Sequence, residues 1–341
     1  MKKISNIAYA SIVLIALIAI FLVWHQKPGI SDEFYVLTAK APLMREQFAA
    51  GNIDGFLVHH PFAADAFINE NASYLMHSSE IWPNHPCCLL TAKMENDDEV
   101  RALLWAHMQA TKFINDENNR EKVISYAKDF TGLDEKVIKE SLKHIRYVEY
   151  PDEEGIKEYY NKLSEARFFI KSLKDLGYEA KEDFFNELFD KSHYNYIKQN
   201  PEWKPEFINK TIRLGYFPAN LHHLAGYVAL QEEFYSAVFQ KIELVPFADG
   251  NKVMEGYKIG LIDASYIGVL PLILKRINEN IEATIIGGAN EEGSALVVKK
   301  DIKSLNELKG KTIAILGLGT MPDFLLRVMA EKAGLEFQLK K

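Results

Sequence analysis

Short apolar runs alternate with amphipathic stretches through the last third of the chain, the pattern of strand followed by helix. Lys210-Thr211-Ile212 opens an apolar stretch ending in Gly215, and the spacing predicts a helix over 221–232. A strand over 242–246 follows, then a helix around 252–257 and the run Gly260-Leu261-Ile262-Asp263-Ala264. Pro271 opens the next helix, which ends in Ile277-Asn278-Glu279-Asn280; strand-like runs over 283–286 and 294–299 close the unit.

The same order begins again at Lys311-Thr312-Ile313, which leads to Gly317 and a helix over 323–333. The sequence stops at Lys341, and the rest of the pattern stands at its other end. Gly51-Asn52-Ile53-Asp54-Gly55 repeats the Gly-x-Ile-Asp-small motif. Pro61 opens a helix ending in Ile68-Asn69-Glu70-Asn71, and runs over 73–77 and 87–92 follow. Lys210 to Asp263 is about 53 residues; Lys311 to the end and then Glu33 to Asp54 is about 52. Several matches in one order at matched spacing read as two copies of one unit, the second split between the chain ends by circular permutation.

Between 95 and 191 the pattern is helical, with Val100, Leu103, Leu104, His107 and Met108 on one face and Val137, Ile138, Leu142 and Ile145 on another. Four or five amphipathic helices are expected there. The stretch 192–209 reads as a polar linker, because Asn200-Pro201 and Lys204-Pro205 discourage a continuous helix. Strands alternating with helices predict an α/β fold of two lobes, mostly parallel sheets flanked by helices. One lobe is expected over 83–296, the other over 33–80 with 299–341, and crossovers near 79–86 and 289–299 make a two-strand hinge.

The N-terminal 1–30 stand apart. Lys2 and Lys3 precede an almost wholly apolar run over 7–24, and Asp32 and Glu33 follow it. Such a run can span a bilayer, and its flanking charges favour the remainder outside. It lacks small residues at a cleavage point, so a single-pass membrane anchor with an extracytoplasmic binding region is expected; a cleaved signal peptide with a secreted or periplasmic product is the alternative.

Composition adds little. The chain is 48% hydrophobic and 26% charged, which suits a globular core, and its net charge of −7 argues against nucleic acid as a partner. The two cysteines, Cys87 and Cys88, are adjacent, which excludes a disulfide framework; two reduced buried thiols are the plainer reading and a strained bridge between neighbours the alternative.

Several segments resemble substrate-binding proteins of ABC transporters of the nitrate/sulfonate/taurine type, the SsuA/THI5-like and NMT1-like group. Arg213-Leu214-Gly215-Tyr216-Phe217-Pro218, Glu243-Leu244-Val245-Pro246-Phe247 and Gly293-Ser294-Ala295-Leu296-Val297-Val298 are similar to that family's first half, and Gly310-Lys311-Thr312-Ile313-Ala314 and Asp323-Phe324-Leu325-Leu326 also fit. Its second half resembles 49–56, His60-Pro61-Phe62 and 81–88. The departure is the order, since the family's second half comes first. The resemblance implies a type II periplasmic-binding fold, capture of a small anionic solute such as a sulfonate, nitrate or taurine, and delivery to permease and ATPase subunits.

Candidate ligand contacts are the loops that lead from strand ends into helices. In one copy these are Phe217, Pro218, Ala219 and Asn220, with Asn220 either capping the helix or facing the ligand. In the other they are Gly319, Thr320 and Met321, where free N–H groups suit an oxyanion and Thr320 also reads as an N-cap. Tyr266 and Gly268 end the strand after Asp263, and packing in the core is the plainer role for Tyr266. His59 and His60 hold the equivalent position in the other copy; the family often carries Trp-Glu there, so an imidazole replaces an acid. Asn290, Trp82 and Asn84 lie beside the hinge. His59, His60, His85, His222 and His223 invite a metal reading, but adjacent histidines on a helix point apart and no acid stands at ligand spacing. No metal, no cofactor and no catalytic residue is therefore expected. The competing functions are an enzyme or binder related to thiamine-pyrimidine synthesis, whose cysteine-rich iron motif is absent here, and a membrane-tethered sensory module.

Overall fold

The computed structural model describes residues 33–340. The anchor expected over 7–24 lies outside the described residues. Among the described residues no helix is long and apolar enough to cross a membrane.

The chain begins with β1 (Glu33–Thr38), α1 (Ala41–Ala49), β2 (Gly55–His59), α2 (Phe62–Asn69), β3 (Ala72–His77) and the short α3 (Ser78–Ile81). It then enters β4 (Pro86–Ala92) and a helical region of α4 (Asp97–Asn115), α5 (Arg120–Thr131), α6 (Glu135–Ser141), strand β5 (Ile145–Tyr147), α7 (Glu153–Glu165), α8 (Lys181–Leu188) and α9 (Ser192–Gln199). A regular alternation follows: β6 (Ile208–Tyr216), α10 (Leu224–Gln231), β7 (Phe239–Pro246), α11 (Gly250–Lys258), β8 (Ala264–Gly268), α12 (Val269–Glu279), β9 (Thr284–Glu292) and β10 (Ser294–Lys299). The chain closes with β11 (Thr312–Ile315), α13 (Met321–Ala333) and β12 (Glu336–Leu339).

The strands form two six-stranded sheets, ordered β12-β1-β11-β2-β10-β3 and β5-β9-β4-β8-β6-β7. The first, the split lobe, draws on both ends of the described chain; the second, the continuous lobe, draws on its middle. Without the edge strands β12 and β5, the orders correspond position by position: β1-β11-β2-β10-β3 against β7-β6-β8-β4-β9. Phe34 of β1 stands opposite Phe337 of β12 in parallel register, so the two ends of the described chain lie side by side.

The sheets are mixed rather than mostly parallel. β11 runs parallel to β1 and β2, and β6 runs parallel to β7 and β8. β10 is antiparallel to both β2 and β3, and β4 is antiparallel to both β8 and β9. The reason is the crossover: each of these two strands arrives from the other lobe and enters its sheet against the direction of its neighbours. It also moves the expected boundary. β10 belongs wholly to the split lobe, so the chain changes lobes at Gly293, whose φ of +86° suits a sharp reversal.

The helical region follows its apolar stripe. Asn96 caps α4 by accepting from the N–H groups of Asp98 and Glu99, and Val100, Leu103, Leu104, His107 and Met108 are buried as expected. Two expectations fail here. Ile145, expected on a helical face, lies in β5, which pairs antiparallel with β9. The expected linker over 192–209 contains α9, which buries His193 and Ile197 one turn apart before Asn200-Pro201 ends it. One apolar core runs through both lobes, and a smaller one, with Met44, Phe48, Ile53, Phe56 and Val58, fills the outer face of the split lobe.

Candidate functional site

The carboxyl ends of β2 and β11 in the split lobe point at those of β6 and β8 in the continuous lobe, with both crossovers between them. The seam holds an unusual concentration of histidine, cysteine and aromatic side chains. His222 sits in a 3-10 turn (Leu221–His223) after β6. Its Nε2 lies 3.0 Å from the carbonyl of Gly293 in one crossover and donates to it, which leaves Nδ1 as an acceptor, 3.3 Å from Cys87 Sγ and 3.9 Å from Cys88 Sγ. Both thiols are free and buried. The bond from Cys88 and the adjacent His222 hold the Cys87 thiol below its usual range, while the neighbouring sulfur and burial push Cys88 up. His59 meets His222 edge-on at 5.5 Å, and burial, followed by His222, lowers its pKa to about 3.

Next to this cluster, Tyr159 of α7 bridges the lobes. Its hydroxyl donates to Met321 Sδ at 2.8 Å and lies 3.2 Å from His85 Nδ1. Trp82, Tyr159 and Phe324 pack as an aromatic triad with centroids 4.5, 5.3 and 4.6 Å apart. Each such pair adds about 0.5–1.5 kcal/mol beyond area burial. The centre of the seam is thus filled by side chains. A void of about 170 Å³ lies to one side, between α7, the start of α12 and α13, with Gly319, Asp323 and Phe324 in its wall.

The structure gathers some of the sequence-predicted residues and disperses others. His59, Trp82 and Met321 meet in the seam. Phe217 and Pro218 border it: the Phe217 N–H donates to His223 Nδ1 at 3.0 Å. Ala219 has a left-handed φ of +58°, and Asn220 acts as the cap, its Oδ1 accepting from the His222 N–H at 3.0 Å. Gly268 caps α12 opposite Cys88 in the ladder. Asn290 also faces Cys88; its amide donates to the carbonyls of Glu291 and Glu292, while its buried Oδ1 has no partner. Asn84 is tied into the hinge through Glu292 and Arg146.

Three expectations are corrected. Tyr266, a candidate contact, takes its plainer role instead: it is buried in the core of the continuous lobe, its hydroxyl 2.9 Å from His107 Nδ1. The Gly319 N–H is already bonded to Asp323 Oδ2 at 2.9 Å, so it is not a free oxyanion donor; Thr320 instead donates its hydroxyl to the Gly317 carbonyl and makes no side-chain cap. His60 turns away from the seam centre toward His77 and His144.

Sequence reasoning missed Cys87, Cys88 and His222 as a group, and Tyr159, His77 and His144 altogether. The cysteines and His222 are 134–135 residues apart, and adjacent histidines were discounted for diverging on a helix. They do diverge, since His223 points to Phe217, yet that divergence is what lets His222 reach across to β4.

Residues 23–128 match the model of the NMT1-like family. No curated protein matches the chain. Among solved structures it is similar to NikA from Brucella suis in complex with Fe(III)-EDTA, at 10% identity and a TM-score of 0.34, over 76% of this chain and 56% of that one. The oligopeptide-binding protein AppA from Bacillus subtilis, in complex with a nonapeptide, gives 11% identity and a TM-score of 0.33, over 79% and 57%. The substrate-binding domain of an oligopeptide ABC transporter from Bacillus anthracis str. Ames gives 12% and 0.31, over 76% and 52%. The chain spans about half the length of these structures. Scores of this size reflect only a loose similarity of arrangement; the fold described above stands on this chain's own strand order and register.

Proposed function

We propose that this chain is the solute-binding receptor of an ABC importer, a binding protein and not an enzyme, which captures a small solute between its lobes and presents it to permease and ATPase subunits. The observation that carries this reading is the seam: two sheets of corresponding strand order, joined by two crossovers, with their strand-end loops facing each other. The match of residues 23–128 to the NMT1-like family supports it. A double crossover is a natural hinge, and in this reading solute enters on opening and is enclosed on closing. In this reading the type II periplasmic-binding arrangement is reached by a permuted chain, and the apolar run over 7–24 tethers it outside the cytoplasm.

The family resemblance supports a small anion of the sulfonate, nitrate or taurine kind as the solute. One observation favours a second reading, a flat neutral heterocycle such as a thiamine-precursor pyrimidine. Trp82, Tyr159 and Phe324 offer aromatic faces, His59 is held neutral, and the Gly319 amide is occupied by an acid. Thermal melting of the purified protein against both panels tests the two. A solute at a hundred times its Kd stabilises the folded state by about 2.7 kcal/mol. The expected result is a rise in Tm with members of one panel, lost in Trp82→Ala while the variant's circular dichroism is unchanged. A response to anions alone would exclude the heterocycle; no response to either panel, with no small molecule in native mass spectra, would overturn the receptor reading.

A further inference from the structure

We propose that His60, His77 and His144 form a transition-metal site that joins the two lobes. His60 follows β2 and His77 ends β3, both in the split lobe; His144 lies between α6 and β5 in the continuous lobe. One ring nitrogen from each falls within 4.8 Å of the other two.

Several observations point to a ligand here. His60 is fully buried, and neither of its ring nitrogens has a hydrogen-bond partner. His77 Nδ1 and the Tyr74 hydroxyl are buried and unpartnered as well, and the Tyr74 ring lies against all three imidazoles. Buried polar groups ordinarily find partners, so this many orphans in one place calls for a bound species. The Cys87, Cys88 and His222 cluster differs in this respect, since its donors and acceptors are directed at one another and at Gly293. His144 also carries the usual supporting bond of a metal-ligating histidine: its Nε2 lies 3.1 Å from Glu140 Oε1, which orients the ring and leaves Nδ1 for the cation.

The donor set selects the metal class. Three imidazoles with room for water or the Tyr74 oxygen suit Zn²⁺, Co²⁺, Ni²⁺ or Cu²⁺, and not Mg²⁺ or Ca²⁺, which take oxygen ligands. The rings are stacked, His77 on His144 at 4.1 Å and His60 on His144 at 5.0 Å. Tetrahedral coordination at roughly 2.0–2.1 Å needs converging nitrogens, so the rings turn out of this stack as the metal enters. Because the ligands come from both lobes, the complete set exists only in the closed form. Metal therefore favours closure, and whatever favours closure tightens the metal.

The site does not rest on the solute reading, and it is tested without solute. Chelator-treated full-length protein is titrated with Co²⁺ and Zn²⁺, with Mg²⁺ as control, and read by native mass spectrometry, Tm and the visible spectrum of Co²⁺. One equivalent is expected, with a tetrahedral Co²⁺ spectrum free of thiolate charge-transfer bands, and a raised Tm. His144→Ala, at a partly buried position, and His77→Gln should each weaken binding at least tenfold while keeping the wild-type circular dichroism. Failure to bind Co²⁺ or Zn²⁺, unchanged affinity in both variants, or a thiolate band placing the metal at Cys87 and Cys88 would each overturn the proposal.

Discussion

At the scale of single residues, matched letters in the two copies do matched work in some places and not in others. Asp54 and Asp263 each hold the backbone of the neighbouring strand: Asp54 accepts from the Thr312 N–H at 2.9 Å, and Asp263 accepts from the Arg213 N–H at 2.8 Å. Asp263 also accepts from the Arg213 guanidinium. The last Asn of each tetrapeptide, Asn71 and Asn280, adopts a left-handed φ, +54° and +56°, which Asn tolerates better than most residues. The first Asn differs: Asn278 receives the Ile170 N–H, while Asn69 donates to Asp65. Buried histidines carry a pH prediction. Burial lowers the pKa of His107 to about 4, against 6.5 for a free histidine. Between those values the unfolded chain binds the proton and the folded chain does not. Stability is therefore whole above pH 6.5 and falls as pH drops toward 4, by up to about 1.4 kcal/mol per pH unit from this group. His107→Gln removes the titration, so its unfolding free energy should vary less steeply with pH across that window than the wild type's. Equal slopes in chemical denaturation would show that His107 plays no part.

At the scale of elements, the small residue that follows each motif aspartate has a structural cause. Gly55 pairs with Val298 of β10 and Ala264 pairs with Ala92 of β4, so in each lobe this position meets the strand that arrives from the other lobe. A Cβ on Gly55 would lie 2.6 Å from the Val297 carbonyl oxygen, which is backbone and has little freedom to yield. Gly55→Ala should cost about 1–3 kcal/mol, seen as a lower denaturant midpoint at unchanged m. Most strands and helices were legible because apolar period and Gly/Pro punctuation agree. β5 was not, since three residues are too few to show a period, and α9 was hidden by a polar composition that still buries His193 and Ile197 at i, i+4. The repeat itself was legible but displaced. The registers Ile313 to Gly55 and Leu214 to Ala264 make Thr312 the counterpart of Arg213, two residues from the Lys-Thr-Ile match. A shift of two keeps every side chain on its own face of the sheet, so the pattern survived the misalignment.

At the scale of the molecule, β12 has no counterpart in the continuous lobe, where β7 is the edge. Removing residues 336–341 should leave a folded protein with β1 as its edge strand, less stable by roughly 1–3 kcal/mol through loss of Phe337 against Phe34. A truncated chain without a cooperative melting transition would show that β12 belongs to the basic unit. Local information determined much: the alternation of strand and helix, the repeated motif and, through that repeat, the adjacency of the two ends of the described chain are legible from apolar periodicity and turn chemistry, which act over a few residues. The tertiary structure alone decided the direction of β4 and β10, the change of lobe at Gly293, and the two histidine clusters. Those depend on which distant segments the crossovers bring together, and residues 134 positions apart leave no periodic trace of their contact in the chain.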